Sequence, residues 1–136
     1  VFKQTSTAIW DSVTPAEEAK TLLEAMANLL ENSRKIATDL PSFSDFLASL
    51  PIEARMHPEF SDLLQQRADH QDRTFRRLAC IGIESGEIDF LTEDEATELI
   101  RSIVMGWFFE RHFRQEEIPK SAESILAMFE HLLNSQ

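Results

Sequence analysis

The chain has little cysteine, glycine or proline and no tyrosine: one Cys, three Gly and five Pro occur in 136 residues. One cysteine excludes an intrachain disulfide, and three scattered glycines exclude a glycine-rich loop that cradles phosphates. Leu, Ala, Glu and Phe are plentiful instead, a composition that favours helices. A chain of this length fits one domain with a core of its own. We therefore predict an all-α, antiparallel helical bundle that spans residues 1–136 as one domain.

Positive charge is also scarce, since the chain has 13 Lys and Arg but 24 Asp and Glu, for a net charge of −11. Non-specific affinity for nucleic acid comes from clustered Lys and Arg, so this chain is not expected to bind DNA by itself. The longest uncharged run, Ser102–Phe109, is far below the ~18 residues of a membrane helix. A lone cysteine, Cys80, fits a reducing compartment. These features predict a cytoplasmic protein without a membrane partner.

Prolines and capping residues predict the helix boundaries. Thr14 and Pro15 suit the first turn of a helix, Gly86 suits a helix end, and Thr92 with Glu95 has the spacing of a capping box. Pro51 is expected to kink or restart the helix that precedes it. The predicted helices cover about 14–38, 42–50, 59–84, 93–115 and 121–134.

The apolar stripe of the long middle helix is interrupted for about two turns by Arg67, Gln71 and Thr74, with His70 beside them. Each buried polar group costs about 1–3 kcal/mol unless it is hydrogen-bonded. A neighbouring helix, water or a ligand could satisfy these groups; alternatively the stretch faces solvent or pairs with acidic residues such as Asp69 and Asp72. Methionine and phenylalanine side chains on other helices would line a cavity or simply form core. The predicted ligand-binding residues are Met26, Leu30, Phe46, Arg67, His70, Gln71, Thr74, Met105 and Phe109.

The segment Leu91–Gln136 contains two amphipathic helices separated at Pro119. The first is apolar on two faces, one with Ile100 and Trp107 and the other with Met105 and Phe109. A helix that is apolar on two sides needs a second partner. We predict that this partner is another copy of the chain, in a homodimer.

Enzyme motifs do not occur at useful spacing. No Glu precedes a His by three residues, as di-iron helical bundles require. His-Glu-x-x-His and Cys-x-x-Cys are also absent from the sequence. We therefore predict no catalytic residues, no bound metal and no cofactor.

Four segments carry a resemblance to the regulatory domain of the TetR family of transcriptional repressors: HPEFSDLLQQ, RLACIGIESGEI, TEDEATELIRSIVMGWFFERHF and SAESILAMFEHLL. In that family a long helix ends in a Gly-Glu-Leu-like turn, and an acidic, capped helix follows. That helix has a glycine before bulky residues, which Gly106-Trp107-Phe108 resembles. The resemblance is one of pattern and covers nearly the whole chain.

The resemblance implies a helical domain that dimerises and binds a small-molecule inducer. Residues 14–118 would form the ligand-binding core, and residues 92–136 would supply two dimerisation helices to a four-helix bundle around a two-fold axis. Gly106 would let helix backbones approach closely. The implied interface residues are Trp107, Phe108, Phe113, Ile125, Leu126, Phe129, Leu132 and Leu133.

The resemblance also implies an N-terminal helix-turn-helix, and no segment of this sequence matches one. Residues 1–13 resemble the end of the connecting helix that follows such a module. We therefore expect a fragment of a longer repressor that contacts DNA only through the missing module. The competing hypothesis is a helical dimerisation or protein-interaction module that binds no small molecule.

Overall fold

The computed structural model describes residues 17–39, 41–114 and 126–133, and the regular elements in these ranges are all helical. The predicted all-α class is confirmed for this part of the chain. The predicted helix start at Thr14 and the last helix start at Pro119 or Ser121 lie outside the described residues. The elements are α1 (Leu22–Asp39), α2 (Pro41–Met56), a 3-10 turn (Pro58–Phe60), α3 (Ser61–Glu84), α4 (Glu93–Arg114) and α5 (126–133).

Helix α1 begins later than the sequence predicts, because the chain leaves helical conformation at residues 18–21. Thr21 Oγ1 accepts a hydrogen bond from the Glu24 amide at 3.2 Å. The Glu87 carboxylate accepts from the amides of Leu22 and Leu23 at 2.5 and 3.2 Å. A carboxylate at the positive end of a helix satisfies free amide groups and interacts favourably with the helix dipole. Glu87 therefore fixes the start of α1 from a loop that lies 65 residues further along the chain.

Helix α2 continues through Pro51, where the sequence predicts a kink or a new start. Proline removes one intrahelical hydrogen bond, so other interactions must hold the helix together. Leu50 and Ala54, on either side of Pro51, are both buried. Tertiary packing thus keeps the two halves of α2 in one helix.

Helices α3 and α4 pack against each other more extensively than any other pair of described helices. Asp72 pairs with Arg101 at 3.0 Å, and Arg76 pairs with Asp94 at 2.7 Å. The later residue on α3 contacts the earlier residue on α4, so the two helices run antiparallel. These pairs fix the register in which α4 lies against α3.

The connection between α3 and α4 follows the sequence predictions. Gly86 has a positive φ of 83°, the left-handed conformation that ends a helix at glycine. The Thr92 amide donates to Glu95 at 3.1 Å, and the Glu95 amide donates to the Thr92 hydroxyl at 3.2 Å. Both the glycine cap and the capping box are confirmed.

The core lies between α1, α3 and α4, and Phe129 of α5 reaches into it with 4% of its surface exposed. Leu22, Met26, Leu78 and Ile100 are completely or almost completely buried. Within the described ranges, no helix is both long enough and apolar enough to cross a bilayer.

Candidate ligand-binding site

Helices α1 to α4 enclose a cavity of about 190 Å³ that opens partly to the surface. For comparison, an apolar cavity of ~150 Å³ holds a benzene molecule. Most lining side chains are apolar, and a few polar groups converge among them, which is the usual composition of a small-molecule site. The lining consists of Leu29, Asn32, Ser33, Ile36, Leu50, Pro51, Leu64, Arg67, Ala68, His70, Gln71, Thr74, Phe75, Val104, Met105, Trp107, Phe108 and Phe109.

Arg67 is the cationic side chain of this lining, and only 9% of its surface is exposed. Its Nε and Nη1 atoms are buried and have no hydrogen-bond partner among the described residues. Burial lowers the pKa of Arg67 from its ordinary value. A guanidinium nevertheless stays protonated in proteins, so the cavity contains a fixed positive charge. Because buried charges are normally paired, this arginine requires an explanation.

The carboxylates that sequence reasoning offers as partners for Arg67 are engaged elsewhere. Asp69 accepts a hydrogen bond from Gln65 at 2.9 Å, and Asp72 pairs with Arg101 on α4. The part of the cavity lining that the structure describes contains no Asp or Glu. The alternative of pairing with Asp69 or Asp72 is therefore not what the described residues show.

Thr74 and His70 lie on the cavity side of α3 next to Arg67. The Thr74 hydroxyl donates to a Glu17 carboxylate oxygen at 2.9 Å. Burial lowers the pKa of His70 and the positive charge of Arg67 lowers it further, whereas the negative charge of Glu17 raises it. His70 is thus biased towards the neutral imidazole at pH 7.

The structure brings six of the nine predicted ligand-binding residues to the cavity: Arg67, His70, Gln71, Thr74, Met105 and Phe109. The described lining does not include the other three. Met26 and Leu30 are buried within the helical core, at 0% and 1% exposure. Phe46 packs edge-on against Phe60, with ring centroids 5.9 Å apart. The apolar period of a helix shows which residues face inward, but it does not show which of them border an unfilled space.

Two polar residues of the lining, Asn32 and Ser33, were missed by sequence reasoning. They belong to the stripe Leu29, Asn32, Ser33 and Ile36, which has the i, i+3, i+4, i+7 spacing of one helix face. The interruption of this apolar stripe by polar residues is the sequence feature that could have identified them. The polar residues that interrupt the apolar stripe of α1 line the same cavity as those that interrupt the stripe of α3.

Several residues implied as dimer contacts lie inside the single chain. Trp107, with 7% of its surface exposed, and Phe108 line the cavity. Phe129 is in the core, and Leu126 and Leu133 pack against it. Leu132 remains 47% exposed. The Phe113 side chain and Ile125 lie outside the described residues.

Comparison with protein-family models, with curated proteins and with solved structures finds no match for this chain. No cluster of three His, Cys, Asp or Glu that could hold a metal ion occurs in the described ranges. The described residues therefore form an all-helical structure with a partly open, mostly apolar cavity and a buried cation in its wall.

Proposed function

We propose that this chain is the ligand-sensing and dimerisation domain of a TetR-like transcriptional repressor. A small molecule bound in the cavity would relieve DNA binding by a helix-turn-helix that lies outside this chain. The observation that supports ligand binding most strongly is Arg67, which is buried in the cavity wall without a hydrogen-bond partner for two of its nitrogens among the described residues. A ligand would supply the missing acceptor.

A route from the cavity towards the N-terminal part of the chain supports a sensing role. Thr74 donates to the Glu17 carboxylate, and Arg77 Nε donates to the Glu17 backbone carbonyl at 3.1 Å. The segment before α1 is therefore attached to the helix that carries Arg67. A ligand shifts a conformational equilibrium only if it binds the two states with different affinity. A shift of α3 on ligand binding would move this segment with it.

Homodimerisation belongs to the same proposal, and the exposed side of α4 supports it. Leu99 is 46% exposed, and Gly106 lies on the same helical face at i+7 from Leu99. Met128 and Leu132, one turn apart on α5, are 44% and 47% exposed. A two-fold contact through such a face would hold two helix-turn-helix modules at half-sites about 34 Å apart. A bound ligand would alter that spacing.

A thermal-shift experiment tests the ligand-binding part of the proposal. The panel contains small aromatic acids, short fatty acids, and their neutral amides and alcohols. A ligand that binds only the folded chain raises the melting temperature, and the rise grows with the logarithm of its concentration once the site is saturated. The control is Ser33→Leu, which places a larger side chain in the cavity wall.

A dose-dependent shift in the wild type that Ser33→Leu abolishes would support the proposal. If no compound shifts the melting temperature, or if Ser33→Leu responds as the wild type does, the cavity is not a ligand site. In that case the exposed apolar side chains of α4 and α5 would favour the competing function, a helical interaction module without a small-molecule ligand.

A further inference from the structure

The charge of the cavity wall narrows the chemistry of its ligand, if the proposed function holds. The chain has 24 Asp and Glu and a net charge of −11, yet no carboxylate of the described residues lines the cavity. Among the described lining residues, Arg67 carries the formal positive charge. Within the described ranges the buried Arg67 guanidinium has no carboxylate partner, so its positive charge is left unsatisfied there.

From this arrangement we infer that the cavity binds a small apolar carboxylate, whose carboxylate group pairs with Arg67. The planar guanidinium donates two parallel hydrogen bonds to a carboxylate, and such charge-assisted bonds are stronger than bonds between neutral groups. Nε and Nη1 are the two buried nitrogens of Arg67 without a hydrogen-bond partner among the described residues. Their hydrogens point in different directions within the guanidinium plane, so a carboxylate would pair with one of them together with the neighbouring Nη2 donor.

The apolar remainder of the wall favours a hydrophobic body on the ligand. Met105, Trp107 and Phe108 line the cavity from α4, and Leu29 and Ile36 line it from α1. Together with the volume of about 190 Å³, this favours one aromatic ring or a short alkyl chain, since a cavity of ~150 Å³ already holds benzene.

A phosphate monoester fits the same site less well. It carries close to two negative charges at neutral pH, about −1.5 to −2. Arg67 would neutralise one of them, and neighbouring His70 is biased towards the neutral form. The second charge would be buried without a partner, which is strongly unfavourable. A single cation in a mostly apolar wall matches a monoanion.

Titration calorimetry with phenylacetate and its uncharged analogue phenylacetamide tests this inference. The two probes have nearly the same shape and differ in charge. Each is titrated into the wild type, into Arg67→Met, and into Arg73→Met, which removes an exposed arginine from the same helix. Hexanoate and hexanamide form a second pair for an alkyl body.

In the wild type and in Arg73→Met, we expect the acid to bind at least about tenfold more tightly than the amide, the ratio that separates a charge-assisted from a neutral hydrogen bond. Arg67→Met should remove that preference. Arg67→Lys keeps the charge without the planar pair of donors and should give an intermediate affinity. It also replaces Arg67→Met as the test if that variant does not fold.

Two failures are distinguishable. If acid and amide bind the wild type equally, or if Arg67→Met retains the affinity for the acid, the carboxylate inference is overturned while the ligand-binding proposal stands. If neither member of either pair binds, and the full thermal-shift panel is also without effect, both are overturned.

Discussion

The Thr74 hydroxyl, in the cavity wall, donates a hydrogen bond to the Glu17 carboxylate at 2.9 Å, across 57 residues of sequence. The acceptor belongs to the segment that precedes α1, and the donor lies two turns from Arg67 on the same helix. This hydrogen bond therefore connects the cavity wall directly to that segment. This contact is the part of the sensing proposal that is simplest to break.

Thr74→Val keeps the shape of the side chain and removes the hydroxyl. We expect a loss of about 1–2 kcal/mol in the free energy of unfolding, because a hydrogen bond to a charged group is lost in a partly buried place. Amide hydrogens of residues 18–24 should exchange faster, as measured by hydrogen–deuterium exchange. The matched control is Thr97→Val, because buried Thr97 donates to Glu93 within its own helix. If both variants leave exchange at residues 18–24 unchanged, the contact does not restrain that segment.

Glu87→Ala should destabilise the chain through α1. It removes a carboxylate that accepts from two first-turn amides and from the Ser85 hydroxyl. The expected loss is about 1–3 kcal/mol, measured by urea denaturation. Glu87→Gln should lose less, since one acceptor oxygen remains. Glu98→Ala removes an exposed acid from α4 and is expected to change stability by less than about 0.5 kcal/mol. A Glu87→Ala effect as small as this control would mean that α1 does not depend on the cap.

The lowered pKa of His70 leads us to expect that the stability of the chain depends on pH. Burial and Arg67 lower its pKa in the folded chain, Arg73 acts in the same direction, and Glu17 opposes them. Because the folded pKa is below the unfolded value of about 6.5, the unfolded chain binds more protons between the two values. The contribution of His70 to stability is therefore present above pH ~6.5 and is lost as pH falls through the window below it.

His70→Gln, which does not titrate, should reduce the slope of unfolding free energy against pH below about 6.5. The control is His57→Gln, an exposed histidine outside the cavity, which should retain the part of the slope that His70 causes. A slope unchanged by His70→Gln would contradict the assigned environment of this imidazole.

A substitution at Gly106 tests whether two copies of the chain form a homodimer through this face of α4. A Cβ at this position would meet no described atom within 4 Å, so Gly106→Leu should not disturb the fold of one chain. If two copies meet at this face of α4, the added side chain should weaken the dimer at least about tenfold in sedimentation equilibrium, since overpacking a close contact costs about 1–3 kcal/mol. Arg73→Leu, on exposed α3 surface, serves as the control. A dimer of unchanged affinity in Gly106→Leu would place the interface elsewhere.

The features that could be predicted from the sequence are those that local chemistry determines. Thr92 and Glu95 satisfy each other within one turn, and Gly86 supplies a conformation that other residues avoid. The polar interruption at Arg67 and Thr74 was visible because it breaks a 3.6-residue period on one helix. In each case the residues concerned lie on one element or one turn.

The features that could not be predicted depend on how helices rotate against one another. Glu87 caps α1 from a distant loop, and no local pattern marks that pairing. Trp107 and Phe108 were expected at a dimer contact, yet the rotation of α4 turns them towards the cavity. Phe46 was expected in the cavity but contacts Phe60 instead. Apolar periodicity identifies inward faces without identifying the partner of each face.

On the proposed function, the buried Arg67 binds a ligand and does not stabilise the fold. The most direct measurement is the free energy of unfolding of the wild type and of Arg67→Met, each with and without phenylacetate. Without ligand, we predict that Arg67→Met is as stable as the wild type or more stable, because it removes an uncompensated buried charge. With phenylacetate at a hundredfold excess over Kd, the wild type should gain about 2.7 kcal/mol and the variant almost nothing. A loss of about 3–5 kcal/mol in ligand-free Arg67→Met, as when a buried ion pair is broken, together with no gain in the wild type, would contradict the claim.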